Sequence, residues 1–217
     1  MEAACDPYVG CRLMATVSTA TISRLLEPYL EGADVPGLYE KLGDYLDLLL
    51  KWNARTNLTA IREPEEIVRR HFGESLFAGR HLPECTTLLD LGSGAGFPGV
   101  PIQLLRPEIA MTLAESQGKK ASFLREAVRT LGLKSEVWAG RVEMMPAERG
   151  FDVVALRAVD KMPDALALAG ERSSHSVVVL AAASPGIESA IGEGFGLSDS
   201  FEVPESVNRR VLIFSRV

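Results

Sequence analysis

Net positive charge, cysteine, histidine and long apolar runs are all scarce in this chain. No apolar run approaches the roughly 20 residues that a membrane-spanning helix needs, so no such helix is predicted. Residues 1–17 lack a basic start followed by an apolar core, which argues against a secretory signal. Met14 is a candidate start, and 1–17 is read as a flexible extension. The three cysteines (Cys5, Cys11, Cys85) are odd in number and lie outside any metal-ligand spacing. They argue against a disulfide framework and a zinc site and point to a reduced, cytoplasmic setting. A net charge of −6 argues against a general nucleic-acid binder. Aromatic residues are only 6% of the chain, yet 47% apolar content suffices for a core in 217 residues.

The charge is unevenly spread. Over 51–81, Lys51, Arg55, Arg62, Arg69, Arg70 and Arg80 face four acids, a net of +2. Over 115–141, Lys119, Lys120, Arg125, Arg129, Lys134 and Arg141 face three, a net of +3. Two positive stretches on an acidic chain are either solvated helix faces or a surface for phosphates.

The first 80 residues read as helices. Leu25, Leu26, Tyr29 and Leu30 recur at helical spacing, as do Leu38, Leu42, Tyr45, Leu46 and Leu49. A third helix follows Pro64 and carries Ile67, Val68, His71, Phe72, Ser75 and Leu76. Past a boundary near 82–85 the pattern changes. Strands are predicted at 86–91, 109–114, 136–139, 151–156, 176–182 and 211–216, with a weaker one at 199–203. Helices fit at 98–105, 117–131 and 160–170, so the sheet is predicted to be mostly parallel and covered on both faces. The last two strands, close together around Asn208, predict a closing hairpin with one antiparallel strand. No apolar heptad or long exposed strand announces a partner, and a monomer is expected.

The most telling stretch is Leu88-Leu89-Asp90-Leu91-Gly92-Ser93-Gly94-Ala95-Gly96-Phe97-Pro98-Gly99, a buried strand running through a glycine turn into a helix. Such a turn is where α/β folds hold nucleotide-like cofactors. Two registers compete. Gly94 to Gly99 matches the dinucleotide pattern G-x-G-x-x-G, with Glu115 about 20 residues on as its ribose acid. The other register is Asp90 followed by Gly92, Gly94 and Gly96. It fits better, because its first glycine directly follows the strand and Asp90 acquires a task. This alternate-glycine register resembles that of S-adenosylmethionine-dependent methyltransferases. The resemblance implies that Asp90 reaches the methionine part, the glycines make room for it, and Glu115 takes the ribose hydroxyls.

Four blocks narrow the resemblance: Trp52-Asn53-x-x-x-Asn57-Leu58-Thr59, Arg69-Arg70-His71-Phe72-Gly73-Glu74-Ser75, the glycine turn with its continuation Phe97-Pro98-Gly99-Val100-Pro101, and Gly140-Arg141-Val142-Glu143. Over about 45–160 the chain resembles the bacterial 16S rRNA guanine-N7 methyltransferase family, also called glucose-inhibited division protein B. The likeness weakens in the last fifty residues. It implies a Rossmann-like class I methyltransferase fold, with a mostly parallel seven-stranded sheet (84–217) and an N-terminal helical cap (18–83). It also implies S-adenosylmethionine as cofactor, no metal, and 16S rRNA or the small ribosomal subunit as partner. Gly92 and Phe97 then line the cofactor, Val142 and Glu143 hold its adenine, and Arg157 lies beside cofactor and acceptor base. Glu143 and Arg157 could instead form a structural ion pair. Arg55, Arg69, Arg70, Lys119 and Lys120 are candidate phosphate contacts, while Asn53 and Asn57 either contact RNA or build the turn that docks the cap. One departure stands out: the family's lysine-glycine pair ending the fifth strand is absent from Val177-Val178-Val179-Leu180-Ala181-Ala182-Ala183-Ser184.

Guanine N7 carries an in-plane lone pair, so its methylation requires alignment rather than proton removal. His71, His81 and His175 fit no catalytic spacing, and Arg157 is read as a positioning donor to guanine O6 or a phosphate. The acceptor must be single-stranded or splayed out. Three alternatives remain open: the same donor with another acceptor, a nicotinamide dehydrogenase, and a non-catalytic ribosome-assembly factor.

Overall fold

The computed structural model describes residues 16–33, 35–157, 162–182 and 187–217. The expected extension falls almost wholly outside them, as do the first two residues of the helix expected at 160–170 and the end of the fifth-strand run at Ala183-Ser184. The helical layer comprises α1 (Thr19–Leu30), α2 (Leu38–Asn53), α3 (Pro64–Ile67) and α4 (Glu74–Arg80). A π-helical stretch, Val68–Gly73, joins α3 to α4, so the third predicted helix is one rod with a widened middle turn. Pro64 occupies its first turn, where a missing N–H is harmless.

Among the described residues, β1 (Thr87–Leu91), β2 (Ala110–Ala114), β3 (Glu136–Trp138), β4 (Phe151–Arg157), β5 (Ser173–Ala182), β6 (Phe195–Glu202) and β7 (Arg209–Arg216) form one sheet in the order β3-β2-β1-β4-β5-β7-β6. The first five strands run parallel, and β7 pairs antiparallel with both neighbours. The hairpin expected from the C-terminal residues therefore closes the sheet, and Asn208 takes the left-handed conformation in its turn. Helices α5 (Gly99–Leu105), α6 (Gly118–Leu131) and α7 (Met162–Arg172) connect the parallel strands, with the short α8 (Ile187–Ala190) following β5.

Two apolar clusters hold the layers together. One runs from Leu26, Leu46 and Phe72 of the helical layer to Val100, Phe123 and Leu113, and on to Val153 and Val178 of the sheet. The other packs Leu89, Val154, Val177 and Val179 of the opposite face against Leu166 of α7. Tyr45 is fully buried at the centre of the first, stacked on Phe72 with centroids 5.2 Å apart and tilted against Phe97 at 5.7 Å. Burying a side chain of this size contributes roughly 1.5–3 kcal/mol. The helical layer thus clamps the glycine turn from above, because the Tyr45 hydroxyl donates to the Ala95 carbonyl inside it.

Candidate functional site

Gly92, Gly94 and Gly96 all have positive φ, so the turn after β1 is a backbone path that only glycines follow without strain. At Gly96 the constraint is doubled: with φ at +90°, an added Cβ would also meet the Tyr45 hydroxyl at 2.6 Å and Val100 at 2.7 Å. Gly94 N–H donates to Glu115 Oε2 at 3.0 Å, and Gln117 N–H to Glu115 Oε1 at 2.7 Å. Glu115, at the end of β2, therefore fastens the turn to the next strand before any ligand is considered. Each carboxylate oxygen keeps a further lone pair at the cleft wall.

The cleft beside this turn has a volume of about 740 Å³. Gly92, Glu115, Val142 and Glu143, predicted from three separate places in the chain, all line it. Arg172, at the end of α7, sets its far wall by donating to the carbonyls of Pro146 at 2.7 Å, Met145 at 3.1 Å, and Val142 and Arg149 at 3.3 Å. The Trp138 indole donates to Arg141 O at 3.1 Å and shapes the turn that carries Gly140.

Several predicted site residues stand elsewhere. Asp90 is fully buried beneath the turn and does not line the cleft. Its Oδ2 accepts from Gly99 N at 3.0 Å, at the start of α5, so closely that a Cβ on Gly99 would lie 2.5 Å away. Among the described residues Asp90 Oδ1 has no hydrogen-bond partner, and burial pushes the carboxyl up to about 7. Asp90 thus positions helix α5 instead of standing at the cleft surface. Gly96 and Phe97 are buried too, outside the cleft wall, and Phe97 stacks on His71 with centroids 4.6 Å apart.

Arg157 lies outside the cleft wall as well. It forms no ion pair with Glu143; its partner is Glu74, at 2.8 Å, and both side chains are buried. It also donates to Arg70 O at 3.0 Å and to His71 Nδ1 at 3.0 Å. That contact leaves His71 with its proton on Nε2, which donates to Thr59 Oγ1 at 2.6 Å. Burial, with Arg157 alongside, pulls the imidazole down to about 3, so His71 is a neutral link and not a base at physiological pH. One chain of contacts thus runs from the 53–59 turn through His71 to the end of β4.

Asn53 belongs to that turn. Its Oδ1 accepts from Leu58 N at 2.9 Å and Thr59 N at 3.1 Å, and its Nδ2 donates to Thr59 O. It is buried, so the turn-building reading replaces the RNA-contact reading for this residue. Asn57 is exposed and accepts from Arg62 at 3.1 Å. Arg55 and Lys119 are exposed and Lys120 is half-buried. Arg69 and Arg70 line a second, smaller cavity together with Glu74 and Arg209.

Sequence reasoning missed Asp164, Leu168 and Glu171 of α7, Arg172, Glu74 and Arg209. For Glu74 a signal existed, its place in the Arg69–Ser75 block four residues after Arg70. The α7 residues carry no motif and reach the cleft only through tertiary packing. Among the described residues lining the cleft, the acids Glu115, Glu143, Asp164 and Glu171 outnumber the one basic residue, Arg141. Such a wall suits a ligand with ammonium or sulfonium charge and opposes a pyrophosphate.

The sheet order, the single antiparallel strand and a ligand cleft at the carboxyl ends of β1, β2 and β3 define a Rossmann-like methyltransferase fold. Two solved structures share it. A putative RNA methyltransferase from Pyrococcus horikoshii superposes with a TM-score of 0.53 at 18% identity, covering 80% of this chain and 96% of that one. TYW2 of M. jannaschii, solved in complex with AdoMet, gives 0.53 at 15% identity over 68% of this chain and 76% of that one. The model of the family rRNA small subunit methyltransferase G matches residues 38–192, and the chain belongs to that family. A relative of that name from Nitrosomonas europaea is 42% identical over 144 residues, 66% of this chain and 67% of that protein.

Proposed function

We propose that this protein transfers the methyl group of S-adenosylmethionine to N7 of a guanine in small-subunit rRNA. The observation that carries the reading is the acid-walled cleft at the glycine turn of a chain in this family. When bound, the cofactor supplies an electrophilic sulfonium methyl. The residues present fit it. Gly92 leaves the backbone open to a close-packed chain, Glu115 and Glu143 offer carboxylates to hydroxyl and amino donors, and Val142, Ala165 and Leu168 give an apolar wall for a base. The four carboxylates stabilise the donor's positive charge.

The acceptor side needs no general base, because N7 attacks through an existing lone pair. Arg157, held by Glu74, His71 and the Arg70 carbonyl, is a positioning residue that fixes the helical layer to the end of β4. The layer formed by 18–83 acts as the cap that presents RNA to the cleft, while 84–217 holds the donor. We place the enzyme with its substrate in the cytoplasm, acting as a monomer.

Calorimetric titration tests the donor half. S-adenosylhomocysteine should bind and NAD should not, and Glu115→Gln should weaken S-adenosylhomocysteine by about tenfold through loss of a charge-assisted contact. NAD binding without S-adenosylhomocysteine binding would overturn the cofactor assignment. Transfer of labelled methyl to small subunits lacking the modification tests the acceptor half.

A further inference from the structure

Cations are matched by acids over most of this molecule and unmatched in one place. Among the described residues, eight arginines each pair with a glutamate, Arg149 with Glu136 and Arg80 with Glu31 being examples. The end of α2 (51–55) and helix α6 differ. They carry Lys51, Arg55, Lys119, Lys120, Arg125 and Arg129 against one acid, Glu126. None of these six forms an ion pair among the described residues. Lys120 is half-buried and the other five are exposed.

The two segments form one surface. The Trp52 indole donates to Glu126 Oε2 at 3.1 Å and meets the Phe123 ring edge-on, with centroids 5.7 Å apart. The end of α2 therefore lies against the middle of α6, and Glu126 turns to Trp52 and not to Arg129, one turn further on. Helix stability does not account for the charges of α6. Lys119 and Lys120 stand in its first turn, which holds no acid and where the helix dipole opposes a cation. Arg125 and Arg129 are exposed one turn apart, and like charges at that spacing repel. This arrangement works against the isolated helix and favours a polyanionic partner.

The surface also leads to the donor cleft. Gln117, immediately before α6, donates its N–H to Glu115, which lines the cleft, so the helix begins at the cleft rim. From Lys119 to Arg129 its axis runs about 15 Å away from that rim. Helix α6 shares the apolar cluster of the helical layer, whereas α7, with Asp164 and Glu171, packs on the opposite face of the sheet. A polyanion approaching the cleft thus meets carboxylates on the α7 side and unpaired cations on the α6 side.

We propose that the exposed face of α6, joined by the end of α2, is the docking surface for the RNA backbone that flanks the methylated guanine. Arg125 and Arg129 hold phosphates at its far end. The proposal rests on the reading of the protein as an rRNA methyltransferase, and it places the RNA on the face of the sheet that carries the helical layer.

The test compares wild type, the double variant Arg125→Gln/Arg129→Gln, and Lys41→Gln. Binding to naked unmodified 16S rRNA and to unmodified small subunits is measured across a salt series, with S-adenosylhomocysteine affinity alongside. Both arginines are exposed without side-chain partners, so the double variant should keep the wild-type melting temperature. It should bind naked RNA about tenfold more weakly, with the slope of log affinity on log salt reduced by about 1.4–1.8, two phosphate contacts. S-adenosylhomocysteine affinity and kcat at saturating RNA should stay at wild-type values while KM for RNA rises about tenfold. Lys41, exposed near the other end of α2, serves as the control, and its variant should bind RNA as wild type does. Wild-type RNA affinity and slope in the double variant would overturn the proposal, as would an equal loss in Lys41→Gln. A loss on small subunits alone would overturn it in favour of a protein contact. Wild-type protein that shows the expected RNA binding but transfers no methyl refutes the enzymatic reading and leaves the docking surface standing. Methyl transfer with an unchanged KM in the double variant does the reverse.

Discussion

Asp90 shows how a conspicuous residue can work one layer below the site. Its carboxyl is buried, one oxygen has no hydrogen-bond partner among the described residues, and its proton is held to about pH 7 instead of the ordinary 3.8. Because the folded value is raised, its contribution to stability is full below about pH 4 and is lost as pH rises through about 7. His71 works in the opposite sense. Its folded value is lowered from 6.5 to about 3, so its contribution is full above 6.5 and is lost as pH falls towards 3. Comparison with Asp90→Asn isolates the first effect. The stability of that variant relative to wild type should rise between pH 4 and 7, by at most about 1.4 kcal/mol per pH unit, and level off above. Denaturant unfolding at several pH values measures this, and a flat difference would refute the burial-driven proton. The acid before the glycines was legible in the sequence. Its burial was not, because the contact with Gly99 depends on how α5 packs back onto β1.

At the scale of elements, every predicted strand is present and the order of helices and strands reads directly from alternating apolar runs. The π-helical stretch at Val68–Gly73 was not legible, since its apolar spacing still resembles an ordinary helix. It nevertheless carries Arg70 and His71, which meet Glu74 and Arg157. Helix α7 was predicted as an element, yet its part in the cleft was hidden, because Asp164 and Glu171 look like solvated helix acids until the fold sets them opposite Glu115 and Glu143. Arg172 ties that helix to the 142–149 segment through four carbonyls. Arg172→Ala should therefore loosen the cleft wall, weakening S-adenosylhomocysteine by about three- to tenfold and lowering the melting temperature by a few degrees. Unchanged affinity in calorimetry would show that the wall stands without the clamp.

Across the whole molecule, charge is divided along one sheet edge. Carboxylates surround the cleft over β1, β2 and β3, while arginines surround Glu74 where β4, β5 and β7 end. The two basic stretches of the sequence resolve differently. Arg69 and Arg70 border the second cavity, whereas Arg55, Lys119 and Lys120 stand apart from it. Sequence charge counts could not make that distinction, because it depends on which helix faces the β6–β7 turn.

The most direct test of the account is methyl transfer from labelled S-adenosylmethionine to 30S subunits that lack the modification, with naked 16S rRNA in parallel, followed by digestion and identification of the labelled nucleoside. The account predicts label in 7-methylguanosine. No incorporation into either RNA, or label in any other base, would contradict it.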